Sequence, residues 1–236
     1  VTISDVNIKT RNAAVSTNGK GNVNIELDGT NTLKSGREHA GLEKSGDGKL
    51  TITDENGNGK LIATGGQYGA GIGGGFYEGG KNITIAGGKV TANGGDYGAG
   101  IGGGNQGNGK NITITGGEVT AAGGTNGAGI GGGLRNNGEK ITVSGDATLK
   151  VQGGPADTRD GAGAGIGNGG TNEGLFVPVN GAETEPDTSN LTTGKIEYYA
   201  PGADMTKDKT TSTTLGSGQP ASPGETAAPV EYRMQT

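Results

Sequence analysis

A seven-residue glycine motif returns at a fixed interval, and that interval limits what the chain can fold into more than any other feature. Gly69-Ala70-Gly71-Ile72-Gly73-Gly74-Gly75 recurs at 98–104 and at 127–133, each step being 29 residues. A fourth copy, at 163–169, comes 36 residues later, after an insertion that contains Pro155 and Asp160. Degenerate earlier copies stand at Ala40-Gly41-Leu42 and Ala13-Ala14-Val15. Self-similarity at such a period is the signature of a stacked repeat architecture, in which each unit buries its apolar face only against its neighbours.

Inside each unit the apolar residues alternate. After the glycine motif comes a variable loop (76–80, 105–109, 134–138). A segment of the type Asn82-Ile83-Thr84-Ile85 follows, repeated as Asn111-Ile112-Thr113-Ile114 and Lys140-Ile141-Thr142-Val143. A second segment is Val90-Thr91-Ala92, then Val119-Thr120-Ala121, then Leu149-Lys150-Val151. A period of two marks strands with one buried face. The expected inward set for one coil is therefore Ala70, Ile72, Ile83, Ile85, Val90 and Ala92. Two inward residues on each of three faces predict a triangular coil, and stacked coils predict an all-β, right-handed single-stranded parallel β-helix, the hand following from the crossover rule.

Composition alone would give another answer. Glycine accounts for 55 of 236 residues, aromatics for 3% and hydrophobic residues for only 28%, which suits a disordered glycine-rich linker. A linker has no reason to hold Ile and Val in register over several copies. A narrow triangular interior also needs few and small apolar side chains, because every layer is covered by the layers above and below. Glycine is not at every third position, so a collagen helix is excluded.

The expected organisation is a parallel β-helix over 1–175, capping strands over 176–205, and a Thr/Ser/Gly/Pro-rich linker or tail over 206–236. Leu50 and Ile52, Leu61 and Ala63, and Val23, Ile25 and Leu33 fit as degenerate earlier coils, with Ile3, Val6 and Ile8 forming a first strand or meeting an upstream coil. Leu175-Phe176-Val177-Pro178-Val179 and Lys195-Ile196-Glu197-Tyr198-Tyr199 read as two capping strands, and Val230-Glu231-Tyr232 as a further strand or the start of another domain.

The units Gly-Ala-Gly-Ile-Gly-Gly-Gly, Lys-Asn-Ile-Thr-Ile and Gly-Gly-x-Val-Thr-Ala resemble glycine-rich repeats of large surface proteins of gut Firmicutes and related bacteria. They are also similar to bacterial β-helix proteins described as carbohydrate-binding domains. The resemblance covers roughly residues 1–175. It implies export, a right-handed β-helix and, in some members, calcium-assisted binding of acidic polysaccharide. No binding residue carries over one by one, since the shared positions are core and turn residues.

Several function classes are disfavoured by what the chain lacks. The net charge is −5 with no basic run, against nucleic-acid binding. No apolar stretch is long enough to span a bilayer, against membrane insertion. With no cysteine and a single histidine, His39 beside Arg37 and Glu38, a typical zinc site is not available. The acids Glu78, Asp96, Glu118, Glu139 and Asp146 occupy different repeat positions and form no stacked pair for general acid–base chemistry. Asp54, Glu55 and Asn56, and Asp157 with Asp160, are loop oxygens suited to calcium, or ordinary turn residues.

Tyr68 and Tyr97 stand 29 residues apart and should form a ladder, with Phe76 and Tyr77 just beyond the same motif and Asp96 alongside. Exposed rings can hold the apolar face of a sugar while nearby polar groups orient its hydroxyls. The stacked outward glycines Gly71, Gly73, Gly100, Gly102, Gly129 and Gly131 either accept a packed backbone, such as the tail or a partner, or only relieve crowding. The expectation is a non-enzymatic, extracellular, cell-surface binding or adhesion module, a monomer within a larger exported chain, with polysaccharide or host glycan as partner, no cofactor, and calcium as a candidate ligand. Alternatives are a structural stalk presenting neighbouring domains and a polysaccharide lyase or hydrolase.

Overall fold

The computed structural model describes residues 1–218; the expected strand at 230–232 lies outside the described residues. The chain winds through three stacked parallel sheets, as the alternation predicts. Sheet I holds Thr2–Ser4, Val23–Asp28, Leu50–Thr53, Gly80–Ile85, Gly109–Ile114 and Gly138–Val143. Sheet II holds Asn7–Lys9, Thr30–Lys34, Lys60–Thr64, Lys89–Asn93, Glu118–Ala122, Thr148–Gln152, Lys195–Tyr199 and Ser212–Leu215. Sheet III holds the short segments Val15–Thr17, Leu42–Lys44, Ile72–Gly73, Ile101–Gly102, Ile130–Gly131 and Ile166–Gly167.

Register follows the repeat. Ile83 pairs with Ile112 and Ile112 with Ile141; Val90 pairs with Val119, and Ile72 with Ile101. All six inward residues expected for the coil, Ala70, Ile72, Ile83, Ile85, Val90 and Ala92, are fully buried. The degenerate coils fall in the expected places: Leu50 and Ile52 pair with Ile83 and Ile85, Leu61 and Ala63 with Val90 and Ala92, Val23 and Ile25 with Leu50 and Ile52, and Leu33 with Ala63. Outward Thr84, Thr113 and Thr142 form the matching ladder on sheet I.

Two details differ from the sequence reading, and one, at Asn31, lies outside it. Ile3 and Ile8 do not share a strand: Ile3 pairs with Leu27 on sheet I and Ile8 with Leu33 on sheet II, so the first segment already turns a corner at Val6. Asn31 occupies the inward position that Leu61 and Val90 fill in later coils. It is tolerated there, fully buried, because its amide donates to the carbonyls of Asp28 (3.0 Å) and Lys60 (3.2 Å) and its Oδ1 accepts the Val6 N–H (3.0 Å). Leu175 and Phe176 lie in a turn, not a strand. The antiparallel hairpin is Thr171–Glu173 with Val177–Val179, because Gly174 and Phe176 adopt positive φ between them.

The far end of the solenoid is closed by an irregular last coil. Glu183 bridges to Gly167 on sheet III, Asp187 to Thr142 on sheet I, and Lys195–Tyr199 adds a parallel strand beside Thr148–Gln152 on sheet II. Leu191, Ile196 and Tyr198 plug the core. Within the stretch expected to be linker or tail, Ser212–Leu215 pairs antiparallel with Lys195–Tyr199.

Candidate functional site

In the regular coils the strands of sheet III are the shortest, two residues each, and the reason is local. Ala70 and Ile72 point inward, so Gly71 and Gly73 face out, yet both glycines are buried. The two loops flanking each short strand arch over it. Asn105 N–H donates to the Tyr68 carbonyl (2.7 Å), Leu134 N–H to that of Tyr97 (3.0 Å), and Phe76 N–H to that of Glu38 (2.8 Å). Where a side chain on Gly71, Gly100 or Gly129 would stand, the last residue of a sheet II strand (Asn93, Ala122 or Gln152) and the backbone of the next coil already lie. A methyl group on Gly71 would stand 2.6 Å from the Asn93 nitrogen and the Gly100 oxygen. Relief of crowding explains Gly71, Gly100 and Gly129, while Gly73, Gly102 and Gly131 also hold φ between 134° and 137°, which L side chains rarely adopt; the C-terminal strand packs instead on sheet II.

Those loops carry the side chains singled out in the sequence. Tyr68 and Tyr97 stack, with ring centroids 5.8 Å apart and planes at 14°. Phe76 lies 4.8 Å from Tyr68, and Tyr77 lies 4.0 Å from Phe76. Four rings from three loops of two successive coils therefore form one surface cluster. Tyr77 is 62% exposed, whereas Tyr68, Phe76 and Tyr97 are half-buried. Asp96 is exposed beside Tyr97, in the stack that begins with Arg37 and Gln67, but no contact joins it to the rings.

Arg37 and Gln67 were not among the sequence candidates. Arg37 Nε donates to Gln67 Oε1 (3.0 Å), its Nη2 donates to the Tyr68 hydroxyl (2.9 Å), and its guanidinium lies 5.0 Å from the Tyr68 ring centroid. Such cation–π contact fixes both partners. Below the cluster, His39 Nδ1 lies 2.8 Å from Glu43 Oε2, which also accepts the Ala40 N–H (3.3 Å). His39 thus braces the turn whose Arg37 and Glu38 carbonyls accept Tyr68 and Phe76 N–H.

The next residue out in the second loop forms its own column. Tyr77, Gln106 and Arg135 hold φ of 59°, 57° and 61°, a left-handed conformation unusual for non-glycine residues. Each N–H donates to the next coil: Tyr77 to Asn105 (3.0 Å), Gln106 to Leu134 (3.3 Å), Arg135 to Gly170 (2.9 Å). All three side chains are exposed. The period of 29 relates Tyr77 to Gln106 and Arg135, and that is the signal by which sequence reading could have found the column.

The top of this edge carries the insertion with Pro155 and Asp160 and the hairpin of Thr171–Glu173 with Val177–Val179. Arg135 clamps Asp160 through two parallel bonds, Nε to Oδ1 (2.9 Å) and Nη2 to Oδ2 (3.0 Å), and Asn172 donates to the same carboxylate (2.9 Å). Buried Asn126 donates to the Asp160 and Gly161 carbonyls (2.9 and 2.8 Å). Asp160 beside the cationic Arg135 holds the guanidinium pKa above its usual range. This network fixes the base of the hairpin, whose tip leaves Leu175 93%, Phe176 56% and Val177 60% exposed. The Arg159 guanidinium lies 5.4 Å from the Phe176 ring centroid.

Elsewhere several acids are engaged by turns and ion pairs. Asp54 Oδ1 accepts the Gly57 N–H (2.9 Å), and Asp157 Oδ1 accepts those of Arg159 (2.8 Å) and Asp160 (2.7 Å). Among the described residues, no group of three or more His, Cys, Asp or Glu is arranged to hold a metal ion. Glu118 pairs with Lys89 (2.9 Å) and Glu139 with Lys110 (3.2 Å) across adjacent coils. Where sheet I turns into sheet II, an open groove of about 520 Å³ runs over Gly59, Gly88 and Gly117, with Lys60, Lys89, Glu118 and Asp146 along it.

Three stacked parallel sheets wound by one chain at this period define a parallel β-solenoid, a β-helix repeat protein. Consistent with that class, a family model described as Beta helix repeat matches residues 56–76, 83–105 and 112–134. No curated protein and no solved structure gives a significant match.

Proposed function

We propose that this chain is a non-catalytic, extracellular binding or adhesion module of a bacterial surface protein, and that its ligand is a polysaccharide or host glycan. One observation carries the reading: Tyr68, Tyr97, Phe76 and Tyr77 converge in a single surface cluster, with Arg37, Gln67 and Asp96 at its margin. Rings supply the apolar contact that the C–H face of a pyranose needs, and the marginal polar groups hydrogen-bond its hydroxyls. The cluster stands on a stacked scaffold whose loops are tied by backbone hydrogen bonds, so little ordering entropy is lost on binding. A non-catalytic role accords with Glu118 and Glu139 being engaged in cross-coil ion pairs with Lys89 and Lys110.

The test is a glycan array probed with the wild-type chain and with Tyr77→Ala. Tyr77 is the most exposed ring, so its removal leaves the fold intact. Binding that falls at least tenfold in the variant supports the reading. Unchanged binding refutes the aromatic site, and a blank array with the wild type leaves the role of a structural spacer.

A further inference from the structure

Resting on the sugar-binding reading, we infer that the ligand is a linear polymer lying parallel to the solenoid axis, along the edge that runs from Tyr77 to Phe176. Three observations support an extended path over a single pocket. First, Tyr77, Gln106 and Arg135 repeat at one position of three successive coils. All are exposed and all are held at φ near 60°. Left-handed φ is unfavourable for a non-glycine residue, because Cβ crowds the following carbonyl oxygen. Here it recurs at each step, so three side chains project in one line from the outer loop.

Second, the line has an aromatic station at each end. Tyr77 and Phe76 form the first. The hairpin that begins at Thr171 emerges directly after Gly170, whose carbonyl accepts the Arg135 N–H, so it continues the same column. Its Phe176 lies against Arg159, in the insertion whose Pro155 carbonyl accepts the Asn126 N–H. Asn126 stands one coil beyond Tyr97 in the tyrosine column, so both aromatic groups belong to one edge of the prism. Three coil steps, marked by Ile72, Ile101, Ile130 and Ile166, separate them.

Third, the spacing suits a chain of sugars. Strands of neighbouring coils are about 4.8 Å apart, so the stations are roughly 14 Å apart along the axis. One coil step is close to the advance of one residue in an extended β-1,4-linked pyranose chain. Gln106 would then hydrogen-bond an inner residue, and Arg135 is held in place by Asp160 beside the next. The exposed Leu175, Phe176 and Val177, otherwise apolar surface left in water, would cover the far end of the polymer.

The experiment is isothermal calorimetry of the full chain with β-1,4-linked glucose oligomers: the dimer, trimer, tetramer and hexamer. Affinity is expected to rise with length until the ligand spans both stations and then level off. Tyr77→Ala should weaken all lengths. Phe176→Ala, at an exposed hairpin tip whose base is held independently, should weaken only the tetramer and hexamer, by about fivefold to tenfold, and leave the dimer unchanged. Gln106→Ala, only one coil step from Tyr77, should weaken every length, the dimer included. Affinity that does not depend on length, or a Phe176→Ala variant with wild-type affinity for the hexamer, overturns the extended path while leaving the aromatic cluster standing. If no oligomer binds and a glycan array is also blank, the sugar-binding reading fails and this inference with it.

Discussion

Gly100→Ala tests whether the glycines facing out of sheet III exist because the coils leave no room for a side chain. The backbone of Gly100 is not in the left-handed region, so alanine meets no conformational strain there, only its neighbours. The added methyl would lie 2.6 Å from the Gly129 oxygen, 2.7 Å from the Ala122 nitrogen and 2.9 Å from the Ala122 oxygen. Carbon and oxygen come no closer than about 3.3 Å in ordinary contact, so the coils must part by about 0.7 Å. Ile101 N–H donates to that same Gly129 oxygen at 2.9 Å, and Gly100 N–H to Ala128 at 3.0 Å. A shift of that size takes both bonds past hydrogen-bonding distance. Two buried bonds lost at about 1 kcal/mol each, with overpacking of about 1–3 kcal/mol, give a cost of about 3–5 kcal/mol. Gly57→Ala is the control, with φ +73° and nothing within 4 Å of the added methyl. Its strain of about 1–2 kcal/mol is partly offset by lower entropy of the unfolded chain, leaving about 1 kcal/mol. Urea unfolding followed by circular dichroism should place the Gly100→Ala midpoint well below that of Gly57→Ala. Equal midpoints, or the reverse order, would refute the steric account of the glycine column.

Two further outcomes follow from the insertions and the cap. Arg135→Ala removes both bonds to the buried Asp160 carboxylate and leaves it with Asn172 alone among side-chain donors; Arg135 is partly exposed, so the cost should be about 1–3 kcal/mol, seen as a lower Tm. Hydrogen exchange should quicken first in 155–161 and 171–179. Glu183 as a whole is exposed, but its carboxyl is packed against the Gly165–Ile166 backbone, and that burial pushes the carboxyl pKa above its usual value while the Gly165 and Ile166 N–H groups that donate to it oppose the shift. A carboxyl with a raised folded pKa contributes stability that is present at low pH and lost as pH rises through that value. Wild-type chain should therefore lose stability relative to Glu183→Gln as pH rises from about 4 towards 7, and parallel pH profiles would contradict the assignment.

Much of the architecture was legible because a solenoid core is a local property. The inward set follows from alternation within one coil, and the register follows from the period, so Ile83, Ile112 and Ile141 could be stacked without knowing any long-range contact. The aromatic cluster was legible for the same reason, as Tyr68 and Tyr97 share a repeat position. Asn31 was not, because nothing in the sequence says that carbonyls of Asp28 and Lys60 and the Val6 N–H will surround it. Nor was the hairpin: an apolar run with alternating residues reads as a strand, and only the positive φ of Gly174 and Phe176 places Leu175 and Phe176 at an exposed tip.

Taken by itself, then, the sequence determined the repeat, the three faces and the residues that fill them, since each depends on spacing along the chain. The tertiary structure decided what covers the glycines, where Arg37 meets Tyr68, how Arg135 and Asp160 anchor the insertions, and how 183–199 closes the open end. These depend on loops from different coils meeting in space, and the irregular loops and the last coil do not follow the 29-residue period that fixes such distances elsewhere.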